Sequence, residues 1–490
     1  MILIGGRQTH FSARCIPGYG NLFISTNAEI LDETKMAKVK EMTEGKPLPL
    51  ILKFSIPLIL GNLLQQTYSL IDAAIVGRYL GIDALAAVGA SVSITFLILG
   101  FCAGCCSGFG IPIAQKFGSR DYSTMRRLVA TSMKLSAGLS LGISLITCLL
   151  CTSILRWMQT PERIMDDAYA YLLVLFIGIP FSFYYNLLSS IIRALGDSKT
   201  PFNFLMLSTI LNIVLDLICI LVLGWGVAGA SIATIVSQGV SAILCFRYMR
   251  KKYDILQMTP SEMKFSPVLA KQLMLIGAPM GLQFSITAIG SIMMQSANNA
   301  LGTACVAAYT AAVRIKMIFL SMLESIGMAM ATYCGQNYGA GKPDRIRRGV
   351  LDVTKVLAVF VAVVGLILMN LSEDMALLFV DPSEREVLDK TVLFLHITAG
   401  FFPLLAILCL LRYSIQGCGY TQLAMFSGVA EMIARTLVSV LAVPIWGYTA
   451  VCLGDGSAWI CADLFLIPAF IYVYRRLVRI VKHETPATAA

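Results

Sequence analysis

Charge is scarce in this sequence. Only 13% of the 490 residues are Asp, Glu, Lys or Arg, against roughly 25% in a soluble domain. A water-soluble fold is excluded, because a soluble core can hide one or two long apolar helices but not a dozen. Compact chemical motifs are scarce as well: there is no HExxH and no GxxxxGK[ST], and the one GxSxG match, Gly138–Gly142, lies inside an apolar run. That argues against a membrane-embedded hydrolase or metalloenzyme and against an ATP-driven pump, so the chain is predicted not to be an enzyme. No secretory signal peptide is recognisable at the start. Residues 1–48 are polar and mixed, and are expected to be a disordered or mis-called extension.

What is present is hydrophobic length: 57% of the residues are apolar. The apolar residues fall into runs of about 20, each able to cross a hydrocarbon core of about 30 Å. The fold expected is all-α and polytopic, with twelve transmembrane helices. Six lie near 50–77, 86–113, 128–155, 167–193, 201–223 and 227–248, and six near 268–298, 305–334, 350–371, 388–412, 423–445 and 449–474. This predicts one six-helix bundle over 49–249, a linker over 250–267, a second bundle over 268–478 and a tail over 479–490. The net charge of +10 would suggest nucleic acid in a soluble protein. Here the basic residues sit in short breaks between apolar runs, among them Lys116, Arg126, Arg127, Arg347, Arg348 and Arg475. They read as a positive-inside pattern that puts both termini in the cytoplasm, with no nucleic-acid partner. The fourteen cysteines are scattered, mostly within the apolar runs, and there read as small buried residues, Cys102-x-x-Cys105 and Cys148-x-x-Cys151 included.

The chain also says nearly the same thing twice. Ile113–Val129 reads IAQKFGSRDYSTMRRLV and Cys334–Val350 reads CGQNYGAGKPDRIRRGV, an offset of about 221 residues. Pro57 pairs with Pro279, Pro180 with Pro403, and Trp225-Gly226 with Trp446-Gly447. Such a period marks a duplicated domain. With an even number of helices in each half, both copies insert the same way, related by an axis along the membrane normal.

Acids inside a spanning helix are expensive and therefore candidates for function. Asp72 shares a helix face with Gln65 and Tyr68, Asn212 shares one with Asp216, and Thr234 shares one with Gln238, each by spacings of three or four. Together they offer carboxylates, an amide and hydroxyls, which suit either a hard cation or a shared proton. Asp72 aligns with Met294 and Asp216 with Leu437, so any such site belongs to the first half alone. Arg314, Glu324 and Asp463 read as isolated charges able to line a central cavity. Met293 and Met294 stand in a methionine-rich stretch that suits adaptable ligand contact. Glu431 and Arg435, four apart, read as a structural pair.

The pattern Pro57…Gln65…Asp72…Gly77, the two Gln-x-aromatic-Gly segments, RALGDSKTP at Arg193–Pro201 and AYTAAVRI at Ala308–Ile315 resemble those of the multidrug and toxic compound extrusion (MATE) transporters. The resemblance runs from about Pro49 to Val478 and is nearest the prokaryotic DNA-damage-inducible protein F branch. It implies two bundles around a central cavity that rock between inward-open and outward-open states. Bulky, often cationic amphiphiles and drugs are expected to leave in exchange for Na⁺ or H⁺, with no other cofactor. By resemblance the ion site comprises Asp72, Asn212, Asp216 and Thr234, and Pro57 is the proline at which the first helix bends. The chain is then expected to act as a monomer in the bacterial inner membrane. A flippase for lipids or lipid-linked oligosaccharides, built on the same architecture, is the alternative reading.

Overall fold

The computed structural model describes residues 41–484. Most of the expected N-terminal extension therefore lies outside the described residues. In the first half the helices are α1 (Pro47–Leu80), α2 (Ile82–Gly118), α3 (Tyr122–Trp157), α4 (Met165–Ile177), α5 (Ile179–Ala194), α6 (Lys199–Leu217) and α7 (Gly226–Lys252). In the second half they are α8 (Pro267–Asn299), α9 (Thr303–Gly339), α10 (Pro343–Ala376), α11 (Arg385–Gly417), α12 (Thr421–Leu437), α13 (Val443–Trp446) and α14 (Tyr448–Glu484). Among the described residues eleven helical spans are long and apolar enough to cross a bilayer, and α4 with α5, bent by 46°, makes a twelfth. The protein is a multi-pass helical membrane protein.

Observed helices overrun the apolar runs that predicted them. Polar residues end a hydropathy run without ending a helix, so α9 continues to Gly339 and α7 to Lys252. At 37 residues, α9 is roughly 55 Å long at about 1.5 Å per residue. Both α6 and α12 pass into a π-helical turn, Ile218–Val222 and Val438–Ala442. The backbone irregularity, like the sequence, is duplicated.

The seam between the bundles is built from glycines. A Cβ on Gly104 or Gly108 of α2 would lie 2.8 or 2.5 Å from the Cα of Gly281 or Gly277 on α8, so these helices meet backbone to backbone. At the basic-face ends of α2 and α9 the two copies of the repeated motif interlock. A Cβ on Gly118 would come within 1.9 Å of the Gln336 carbonyl oxygen, and one on Gly339 within 1.8 Å of that of Gln115. The Gln115 amide donates to the Gly417 carbonyl at 3.0 Å and the Gln336 amide to that of Ala194 at 2.9 Å. The segment that revealed the duplication is thus the joint that closes the basic face.

Two stretches outside the spanning helices are pinned. The Met42 N–H donates to Gln336 Oε1 at 2.8 Å, while Asn337 and Arg345 donate to the Met42 carbonyl. Residues 41–46 are therefore ordered, unlike the extension expected up to residue 48. In the linker, Glu262 receives both Arg126 Nε and Nη2, at 2.9 and 2.7 Å. That guanidinium and the Thr259 N–H hold the Glu262 carboxyl down at about 2.

Candidate functional site

Four helices converge in the first bundle near the face opposite the basic one. Asp72 lies eight residues before the end of α1, Asn212 and Asp216 lie on the last turns of α6, and Thr234 lies two turns into α7. Helix α1 contributes a polar face there because Tyr68 and Asp72 are four apart. The Tyr68 hydroxyl and Thr234 Oγ1 are 3.1 Å apart, and Asn212 Nδ2 donates to the same Thr234 oxygen at 3.2 Å. Thr234 in turn donates to the Ala230 carbonyl at 3.1 Å. The carboxyl groups of Asp72 and Asp216 come within hydrogen-bonding reach of each other. Asp216 is 0% and Asn212 2% exposed.

The most telling property of this cluster is what it lacks. Among the described residues, Asp72 Oδ1, Asn212 Oδ1 and both Asp216 carboxylate oxygens have no donor. Buried acceptors are normally hydrogen-bonded, and two carboxylates side by side are satisfied only by something positive between them. A shared proton or a small oxygen-loving cation is the chemistry that such a donor-poor, oxygen-rich set can accommodate. Among the described residues no group of three or more His, Cys, Asp or Glu suited to a metal ion occurs. Any cation here would rely on the amide and hydroxyl oxygens as well.

Of the supporting residues, Gln65 is exposed and Gln238 pairs with the Ser182 hydroxyl. Tyr171 of α4 was not singled out from sequence. It stands beside both aspartates and accepts a hydrogen bond on its carbonyl from Ser231 at 3.0 Å. Tyrosines are common in the apolar runs, and only the fold brings this one to the acids. Pro57 lies inside an unbroken α1.

The residues expected to line a cavity divide. Arg314 is exposed and Met293 is 38% exposed, but Met294 is 2% exposed and packs its methyl group against Gly454 of α14. Glu324 and Asp463 are not wholly isolated, because both lie within electrostatic range of the Arg412 guanidinium. Asp463 is 4% exposed, with neither carboxylate oxygen hydrogen-bonded. Arg412 belongs to a buried chain of ion pairs: it binds Glu431, which lies 3.5 Å from Arg435, which reaches Asp455 at 3.2 Å, which binds Lys316. The Glu431–Arg435 pair was legible as a four-residue spacing. Its extension through Lys316, Arg412 and Asp455 was not, because those residues lie on three other helices.

Comparison with known proteins bears on both halves. The MatE family model matches residues 57–218 and again 279–441, once per bundle. A probable multidrug resistance protein of Bacillus subtilis, YpnP, is 33% identical over 309 residues, covering 63% of this chain and 69% of that protein. The multidrug export protein MepA of Staphylococcus aureus is 22% identical over 438 residues, 86% of this chain and 93% of that one. The crystal structure of MATE in complex with MaL6 superposes with a TM-score of 0.82 at 25% identity, covering 91% of this chain and 100% of that chain.

Proposed function

This chain belongs to the MatE family, and from that premise we propose that it is a secondary-active exporter of small amphipathic, often cationic, compounds, driven by exchange for Na⁺ or H⁺. The observation that carries the reading is the set of donor-less oxygens on Asp72, Asn212 and Asp216, a buried place for one positive charge in a protein whose family is one of transporters. The names of the relatives favour drug efflux over the flippase alternative. They also favour transport over catalysis.

In this reading α1 is the lever. One end presents Tyr68 and Asp72 to α6 and α7, while Asn62, two turns nearer the basic face, donates to Ser325 of α9 at 2.9 Å. A cation or proton held between Asp72 and Asp216 ties α1 to the first bundle. Its loss frees the helix to shift against the second. Pro57 lacks the N–H for the helical bond to Lys53 and so supplies a point of bending. Ion and exported compound are coupled because each prefers a different arrangement of the two bundles. The interlocked basic face corresponds to the state closed toward the cytoplasm, with both termini on that side of the bacterial inner membrane, and one chain suffices. Uptake of a fluorescent cation into inverted vesicles, with Na⁺ and pH gradients imposed separately, tests the assignment. Asp216→Asn is expected to drop driven efflux to background while the protein still purifies as a folded monomer. Undiminished driven efflux in that variant removes the site from the mechanism.

A further inference from the structure

The bend between α4 and α5 opens a lateral groove of about 940 Å³ on the first bundle, between α3, α5 and α7. Its floor is apolar: Met133 of α3, Phe181 of α5, and Gly239 and Phe246 of α7 line it. Gly239 keeps the floor open, since even a Cβ there would come to 3.2 Å from the Phe181 ring. The basic-face end is different. Arg247 and Arg250 line that end, both exposed, and neither is paired with a carboxylate among the described residues. The Arg250 guanidinium lies 5.9 Å from the Phe246 ring centre, which holds it at the mouth.

We propose that this groove binds one anionic phospholipid, with an acyl chain along Phe181 and Gly239 and its phosphate on Arg247 and Arg250. The length fits. From Gly239 to Arg250 α7 rises roughly 17 Å, close to the depth of one leaflet, about half of a 30 Å core. The polarity fits as well, because an apolar floor ending in two guanidiniums matches a chain ending in a phosphate diester, and arginine is suited to phosphate oxygens. A soluble anion would use the arginines and leave the floor empty. A zwitterionic lipid carries the same phosphate but brings its own cation beside the two guanidiniums, so it should be held less well.

Native mass spectrometry of the detergent-purified full chain, titrated with phosphatidylglycerol or with phosphatidylcholine of the same acyl chains, tests this. The wild type should retain phosphatidylglycerol preferentially. Arg247→Gln combined with Arg250→Gln should lower that preference about tenfold or more, reducing phosphatidylglycerol retention far more than phosphatidylcholine retention. Gly239→Leu should lower retention of both lipids by filling the floor. Arg475→Gln with Arg479→Gln, on α14, should change neither. Equal retention of the two lipids by the wild type overturns the proposal, as does an undiminished preference in the double variant. If the double variant instead loses dye efflux with lipid retention intact, the groove serves the exported compound and not a lipid.

Discussion

In the first bundle two buried acids face each other without a basic partner. In the second, Lys316, Arg412 and Arg435 alternate with Glu431 and Asp455 in a ladder of ion pairs. The contrast runs position by position through the duplication. Asp72 corresponds to Met294 and Asp216 to Leu437, while Thr234, the hydroxyl of the first cluster, corresponds to Asp455 of the ladder. Both bundles keep the π-helical turn after this point, so the backbone is the same and only the side chains differ. One copy is left wanting a positive charge; the other carries its own. On the proposed reading, the first would exchange a cation with water and the second would stay as it is.

A second difference lies in shape. Pro180 and Pro403 correspond, yet α4 and α5 part at Gly178 by 46° whereas α11 runs unbroken from Arg385 to Gly417. At the bend, a Cβ on Gly178 would lie 2.2 Å from Ile235. At the corresponding pair, the small residue has changed sides: a Cβ on Gly456 would lie 2.6 Å from the ring of Phe401. The large side chain comes from the neighbouring helix in one bundle and from the proline-bearing helix in the other. Proline alone therefore does not break the helix; the glycine two residues before it does, by letting α7 approach.

The comparison can be broken most forcefully at the ladder. Arg412→Leu removes the nearer of the two basic partners of Glu431 and breaks the buried ladder at its end, and should destabilise the protein by about 3–5 kcal/mol, seen as a large fall in the melting temperature in detergent. Asp216→Asn in the first bundle should leave the melting temperature unchanged or higher, since it removes a charge that has no partner. Equal destabilisation by the two substitutions would erase the distinction between the bundles. Next in size is the seam: Gly118→Ala forces a methyl group against the Gln336 carbonyl and should disfavour the closed basic face by about 1–3 kcal/mol. Faster labelling of a reporter cysteine placed in the seam would show it, and unchanged labelling would mean that α2 simply shifts. The smallest effect is expected at Glu262. Its carboxyl is held at about 2 by Arg126, below its ordinary value, so its contribution is present above the ordinary range and is lost as pH falls toward 2. Melting curves of wild type and Arg126→Gln should differ slightly at pH 7 and converge in strong acid. Curves separated by the same amount at every pH would mean that Arg126 acts through packing.

Much of this was legible before any coordinates. The spans follow from hydropathy, the two-fold plan from the repeat, and the paired acids from their rarity in oil. Asp72 and Asp216 could be put together across 144 positions only because so few acids compete for the partnership. The ladder could not, since Lys316, Arg412 and Asp455 each look solitary along the chain and acquire partners only through packing of α9, α11, α12 and α14. Helix ends were misjudged wherever polar residues prolong a helix past the hydrocarbon. The packing of Glu41–Lys46 left little trace, because most of its bonds use backbone groups, which any sequence provides.

That short stretch before α1 has a mechanical consequence. Its carbonyls at Met42, Thr43 and Gly45 are gripped by Asn337, Lys342 and Arg345 of one bundle, while Glu41 and Glu44 reach Arg120 of the other. It is a staple across the two halves. Each such bond contributes about 1 kcal/mol net, so parting the halves on that side first requires peeling the staple away. Its strength helps set how long the transporter rests between cycles.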